Sequence, residues 1–131
     1  MVRTKRILVV DDSAAIRSLV AGALEEMGNV EVTEAADGFE AVRLVLDDPF
    51  DLIITDVNMP EINGLELVRF VRTRAERSAI PIIVISTEGA GADRERALTL
   101  GADAYLVKPF ETSDLTATVS KVLKEVYERR G

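Results

Sequence analysis

Four short apolar runs rich in valine and isoleucine, at 7–10, 52–54, 82–85 and 104–107, recur along this chain. Between them lie longer segments whose apolar residues return every three or four positions. Near-continuous apolar strands alternating with helices call for a parallel sheet covered on both faces. Right-handed crossovers then leave only a few doubly wound topologies. A fifth run, at 30–35, alternates apolar and polar residues, which marks an edge strand with one wet face. The spacing predicts strands over about 6–10, 30–35, 51–55, 81–86 and 104–107. A chain of 131 residues suits one α/β domain with its own core, which we read over 1–131.

The helical segments have recognisable ends. Ser13 is placed to cap a first helix over 13–27, with Ile16, Leu19, Val20, Ala23, Leu24 and Met27 as its buried stripe and Gly28 as its stop. Asp37 and Glu40 form a capping-box pattern for the second, whose core face is predicted as Phe39, Val42, Val45 and Leu46, with Pro49 ending it. The stretch 58–64 reads as a loop punctuated by Pro60 and Gly64. A third helix over 64–73 buries Leu65, Val68 and Val71. A fourth, over 91–100, has a glycine-rich lead-in and few large apolar residues before Gly101. The fifth, over 112–128, carries a clean stripe at Leu115, Val119, Val122 and Val126. Ala14, Ser18, Ala21 and Gly22 recur at roughly helical spacing on the first helix. They are either a surface for close approach of a partner helix or tolerated surface positions.

Composition removes whole classes of chemistry. There is no cysteine and no histidine, so thiolate sites, disulfides and the usual zinc and general-base chemistry are absent. Any metal must be held by oxygen, which points to magnesium, manganese or calcium. A net charge of −7 disfavours nucleic acid, whose phosphates need lysine and arginine. No apolar run approaches the roughly 20 residues that span a bilayer. The basic segment 2–6 is not followed by a leader-like apolar stretch, so a cytoplasmic protein without membrane partners is expected.

The apolar runs end on residues suited to phosphoryl chemistry: Asp11 and Asp12, Thr55 and Asp56, Ser86 and Thr87, Lys108 and Pro109. A parallel sheet brings these C-terminal strand ends to one edge, where open α/β folds bind ligands. Two carboxylates about 4 Å apart repel by roughly 4 kcal/mol at an effective dielectric near 20. Asp11, Asp12 and Asp56 therefore need a cation, and Mg2+ (or Mn2+) accepts carboxylates while leaving positions for phosphate oxygens. Lys108 supplies a mobile charge and Ser86 a hydroxyl for phosphoryl oxygens. An aspartate carboxylate is a competent nucleophile that gives an acyl phosphate. Taken singly, such strand-end residues are often solvated turns; their joint occurrence is what makes a site. Asp37 and Asp51 read as cap and turn residues, and Met59 and Phe110 as packing.

The pattern Val9-Val10-Asp11-Asp12-Ser13, then Thr55-Asp56-Val57-Asn58-Met59-Pro60 with Asn63-Gly64, then Ser86, then Lys108-Pro109-Phe110, resembles a two-component response-regulator receiver domain over essentially the whole chain. The resemblance implies a flavodoxin-like sheet of order 2-1-3-4-5 with five helices. It implies Asp56 as phosphoacceptor, Asp11 and Asp12 as metal residues, and the backbone carbonyl of Asn58 as a further ligand. Ser86 and Tyr105 would be a switch pair, Lys108 the phosphate partner, and Lys108–Pro109 a cis bond. A histidine kinase or phosphotransfer domain would supply the phosphoryl group, and a downstream protein would read it. The chain would not be an enzyme on other substrates; it would catalyse only its own phosphorylation and hydrolysis. Chemotaxis is the first pathway implied, and a phosphorelay shuttle or a receiver cut from a larger regulator the alternatives. Ser86 replaces the commoner threonine. Thr87 is bulkier than the alanine or glycine of many relatives, and with Asn58 and Glu88 it flanks water's approach to the acyl phosphate.

Other functions fit less well. A small aspartyl-phosphate phosphatase needs an acid-base aspartate two positions after its nucleophile, where this chain has Asn58. A flavin phosphate would be repelled by the carboxylates of the first turn. A DNA-binding regulator would need a further domain.

Overall fold

The computed structural model describes residues 3–74, 77–87 and 91–130. Its elements run β1 (Lys5–Val10), α1 (Ala14–Glu26), β2 (Val30–Ala35), α2 (Gly38–Asp47), β3 (Leu52–Asp56), α3 (Gly64–Arg72), β4 (Ile82–Ser86), α4 (Ala92–Leu100), β5 (Ala104–Val107) and α5 (Thr112–Arg130). All four strand pairings are parallel, in the order β2-β1-β3-β4-β5. This is the expected doubly wound sheet, and β2 lies at an edge as its alternating pattern requires.

The two faces of the sheet carry separate cores. Leu8, Val10, Ile53, Ile82 and Val84 pack with residues of α2, α3 and α4. Ile7, Val9, Leu52, Ile54, Ile83 and Ile85 pack with α1 and α5. Residues of one strand thus alternate between two dry faces, so the central strands are apolar throughout. Leu115, Val119 and Val122 of α5 are essentially fully buried, at about 1.5–3 kcal/mol each for a large apolar side chain.

Several caps follow the local sequence. The Ser13 hydroxyl accepts from the Ile16 amide at 3.3 Å, and Asp37 accepts from Glu40 at 2.8 Å. Asn63, the last residue but one of the loop over 58–64, and Glu66 form a reciprocal capping box that starts α3. Asp51 is a connecting residue: it accepts the Arg6 amide at 2.8 Å and pairs with Arg3. Lys108–Pro109 is cis.

Two helices differ in part from expectation. Phe39 and Leu46 of α2 are exposed; Val45 is buried and Val42 partly so, as expected, and Gly38 and Ala41 also face inward. The cause is close approach: a Cβ on Gly38 would lie 2.6 Å from the Ile62 Cβ, so the helix seats on its small residues. On α1, Leu19 and Met27 are exposed; Val20, Ala23 and Leu24 are buried as expected, and so is Ala21. Ala21 therefore belongs to the core, and the proposed small-residue surface is reduced to Ala14, Ser18 and Gly22.

The end of the sheet opposite the strand C-termini is tied by Arg72. Its guanidinium donates to the carbonyls of Gly101 at 3.0 Å and Ile80 at 2.6 Å, and to Asp103 Oδ2 at 2.9 Å. Those contacts join α3, the start of β4, the end of α4 and the start of β5. Helix α4 itself buries only Ala97 among its described residues.

Candidate functional site: a carboxylate cluster at the strand ends

The site sits where strand order reverses, at the C-terminal edge between β1 and β3. Asp11 and Asp12 follow β1 directly, Asp56 and Ser86 are the last residues of β3 and β4, and Lys108 follows β5. One carboxylate oxygen from each of Asp11, Asp12 and Asp56 lies within 4.8 Å of the others. Asp11 and Asp56 are buried, and Asp12 is exposed. Lys108 Nζ bridges the buried pair, 3.0 Å from Asp11 Oδ2 and 3.2 Å from Asp56 Oδ1. The amide of Lys108 donates to the Ser86 carbonyl at 2.7 Å, which ties the ends of β4 and β5 together.

The electrostatics are unbalanced. Burial pushes the Asp56 carboxyl above its ordinary value, and the charge of Asp11 pushes it further. Lys108 offsets part of this and Asp12 adds to it. Burial alone would lower Lys108, but its bonds and charge contacts with Asp11 and Asp56 outweigh that, and it holds its proton more tightly than usual. Asp56 is raised because burial and the Asp11 charge outweigh Lys108, and Lys108 is raised because it serves two carboxylates at once. The cluster is an all-oxygen donor set with excess negative charge, partly buried and open on the Asp12 side. That fits a hard divalent cation such as Mg2+ or Mn2+.

The remaining expected residues are placed as follows. Ser86 is fully buried, and Asn58 and Thr87 are exposed. The register pairs Val84 with Tyr105 and Ser86 with Val107, so Ser86 and Tyr105 project from the same face of the sheet. Tyr105 is partly buried against the core that α4 covers. Thr87 and Lys108 line a cavity of about 260 Å³ with Ile16, Leu19, Pro109 and Phe110. Met59 is buried and Phe110 partly so, as packing residues should be. Glu88 lies outside the described residues.

Two contacts near the cluster had no clear sequence signal. A Cβ on Gly64 would lie 2.1 Å from the Asp56 carbonyl oxygen, so the start of α3 presses directly on the Asp56 peptide. An Asn-Gly pair opening an amphipathic helix hints at such a start, but not at what it touches. Arg17 of α1 donates to the Asp11 carbonyl at 2.7 Å and to Glu34 Oε1 at 3.1 Å.

Residues 7–120 match the model of the response regulator receiver domain. The chain belongs to this family. As a receiver domain it is a phospho-accepting signalling switch. It is 41% identical over 119 residues to a chemotaxis protein CheY homolog of Campylobacter jejuni, covering 90% of this chain and 92% of that protein. Among solved structures it is similar to the chemotaxis response regulator CheY4 of Vibrio cholerae, at 39% identity and a TM-score of 0.86, over 91% of this chain and 98% of that one. It is also similar to the receiver domain of a sensor histidine kinase from Pseudomonas aeruginosa, at 29% identity and a TM-score of 0.83, over 92% and 98% of the two chains. That structure has a magnesium ion coordinated in its active-site cleft. No helix among the described residues is long and apolar enough to cross a membrane.

Proposed function

We propose that this receiver takes a phosphoryl group onto Asp56 from a histidine kinase or phosphotransfer domain and then binds a downstream protein differently. The observation that carries the assignment is Lys108 Nζ held between the Asp11 and Asp56 carboxylates, beside Asp12. Asp11, Asp12, Asp56 and the Asn58 backbone carbonyl would hold Mg2+. Bound there, the cation supplies positive charge that offsets the charge on the transferring phosphoryl oxygens.

An Asp56 carboxylate oxygen attacks phosphorus. The P–N bond of the phosphohistidine donor breaks, and its electron pair stays on the imidazole nitrogen, which takes up a proton. Lys108 pairs with one phosphoryl oxygen and the Ser86 hydroxyl donates to another. Hydrolysis resets the site: water attacks phosphorus and gives up a proton, the bond to the Asp56 oxygen breaks with its electron pair left on that oxygen, the Asp56 carboxylate is regenerated and inorganic phosphate leaves. The chain's own work is positioning and electrostatics, and it turns over no other substrate. Movement of Ser86 toward the phosphoryl group opens space on the face that Tyr105 shares, and Tyr105 fills it. The similarity to chemotaxis proteins supports an output in motility.

Intact-mass measurement after incubation with Mg2+ and acetyl phosphate tests the assignment. A metal-dependent phosphate adduct is expected, absent in Asp56→Asn. An adduct that persists in that variant refutes Asp56 as the acceptor.

A further inference from the structure

Arg17 is a cation in the first turn and a half of α1, the end where the helix dipole favours anions. Helix formation gives no reason for an arginine there. Its contacts do. One guanidinium nitrogen donates to the Asp11 carbonyl at 2.7 Å, and another donates to Glu34 on the edge strand β2 at 3.1 Å. The side chain is only 17% exposed, so the fork is held between helix, loop and sheet.

The carbonyl of Asp11 and the amide of Asp12 belong to one rigid peptide plane. Fixing that oxygen fixes where Asp12 begins. Asp11 has other anchors: its amide donates to the Ala35 carbonyl at 3.2 Å, its Oδ1 accepts the Ser13 amide at 2.9 Å, and its Oδ2 accepts Lys108 at 3.0 Å. Asp12 is exposed, so burial does not place its carboxylate. We propose that Arg17 is a positioning residue for the divalent-cation site: by gripping the Asp11–Asp12 peptide it keeps the Asp12 carboxylate within the cluster formed with Asp11 and Asp56. This rests on the cluster's being a Mg2+ site.

Three roles for Arg17 give different signs. If it acted only as a nearby positive charge, its loss would tighten Mg2+ binding. If it only braced the helix, its loss would lower the melting temperature and leave the affinity of the folded protein unchanged. Positioning requires that affinity fall. Calorimetric titration of Mg2+ into the full chain decides between them, with circular dichroism to confirm folding. Arg17→Met keeps the aliphatic stem and removes the donors. It should weaken binding by about 5- to 10-fold, at or below the low end of the roughly 10- to 100-fold seen for outer-sphere partners, because Arg17 grips a backbone oxygen and not a ligand side chain. Arg17→Gln, too short to reach that oxygen, should do the same, so the test survives if one variant fails to fold. Arg17→Lys, which keeps the charge and one donor, should recover part of the affinity. Asp12→Ala gives the scale of full loss. Wild-type affinity, or tighter, in the folded methionine or glutamine variant overturns the role of Arg17 alone. No Mg2+ binding by the wild-type chain overturns the cation site and Arg17's role together.

Discussion

Replacing Asp56 by asparagine should make the metal-free protein more stable, although it removes the residue proposed to carry the phosphoryl group. Asp56 is buried beside two other carboxylates and one ammonium. At the outer limit of the cluster's separations, each carboxylate repels it by about 3.5 kcal/mol at an effective dielectric near 20. The Asp12 contribution is smaller because Asp12 is exposed and screened. At the 3.2 Å contact with Lys108 the attraction is about 5 kcal/mol on the same footing. These terms nearly offset, and the cost of burying the charge decides the sign, as the raised Asp56 value shows. Asparagine keeps the shape and an acceptor for Lys108, so a net gain of about 1–3 kcal/mol is expected, less than any single term. In a domain of this size that raises the melting temperature by roughly 3–10 °C.

The pH dependence follows. The folded state binds the Asp56 proton more tightly than the unfolded chain, whose value is near 3.8. Wild-type stability therefore falls as pH rises from about that value through the raised one, and asparagine has no such loss. The gap between the proteins should be closed below the unfolded value and fully open above the folded one. Urea unfolding in chelator across this range measures it. Mg2+ should then stabilise the wild type more than the variant, by preferential binding to the folded state. Asp56→Asn equal to or less stable than wild type at neutral pH without metal, or a gap unchanged on acidification, refutes the reasoning.

Three further outcomes are expected. Thr87 lines the cavity beside Lys108, and Thr87→Ala should admit water and shorten the phosphorylated lifetime by about three-fold, near 0.7 kcal/mol of barrier; loss of the mass adduct after donor removal gives the rate, and an equal or longer lifetime excludes Thr87 as a gate. Beryllofluoride with Mg2+ should shift NMR resonances of Tyr105 and α4, because α4 has few buried contacts to hold it; changes confined to the neighbours of Asp56 would contradict a Ser86–Tyr105 switch. Gly64→Ala forces a methyl against the Asp56 carbonyl and should cost about 1–3 kcal/mol in urea unfolding, with slower phosphorylation by acetyl phosphate; wild-type values for both would show that the loop yields freely.

Much of the fold is legible without coordinates because hydrophobic period is a one-dimensional signal. The β/α alternation, the wet edge at 30–35 and the stripe Leu115, Val119, Val122 and Val126 all appear in the structure as read. The cluster was legible for a related reason: parallel strands must bring their C-terminal ends to one edge, so Asp11, Asp12, Asp56 and Lys108 meet once the sheet is parallel. Tertiary structure alone decided that Leu19 and Met27 of α1 and Phe39 and Leu46 of α2 stay exposed. Apolar residues there exceed one stripe, and which are buried depends on the face the crossover presents and on how closely Gly38 can approach Ile62. It also decided the roles of Gly64 and Arg17. Both act on backbone oxygens, of Asp56 and Asp11, that every residue carries alike. Side-chain chemistry is written in residue identity, whereas contacts to backbone are set by where the folded chain passes.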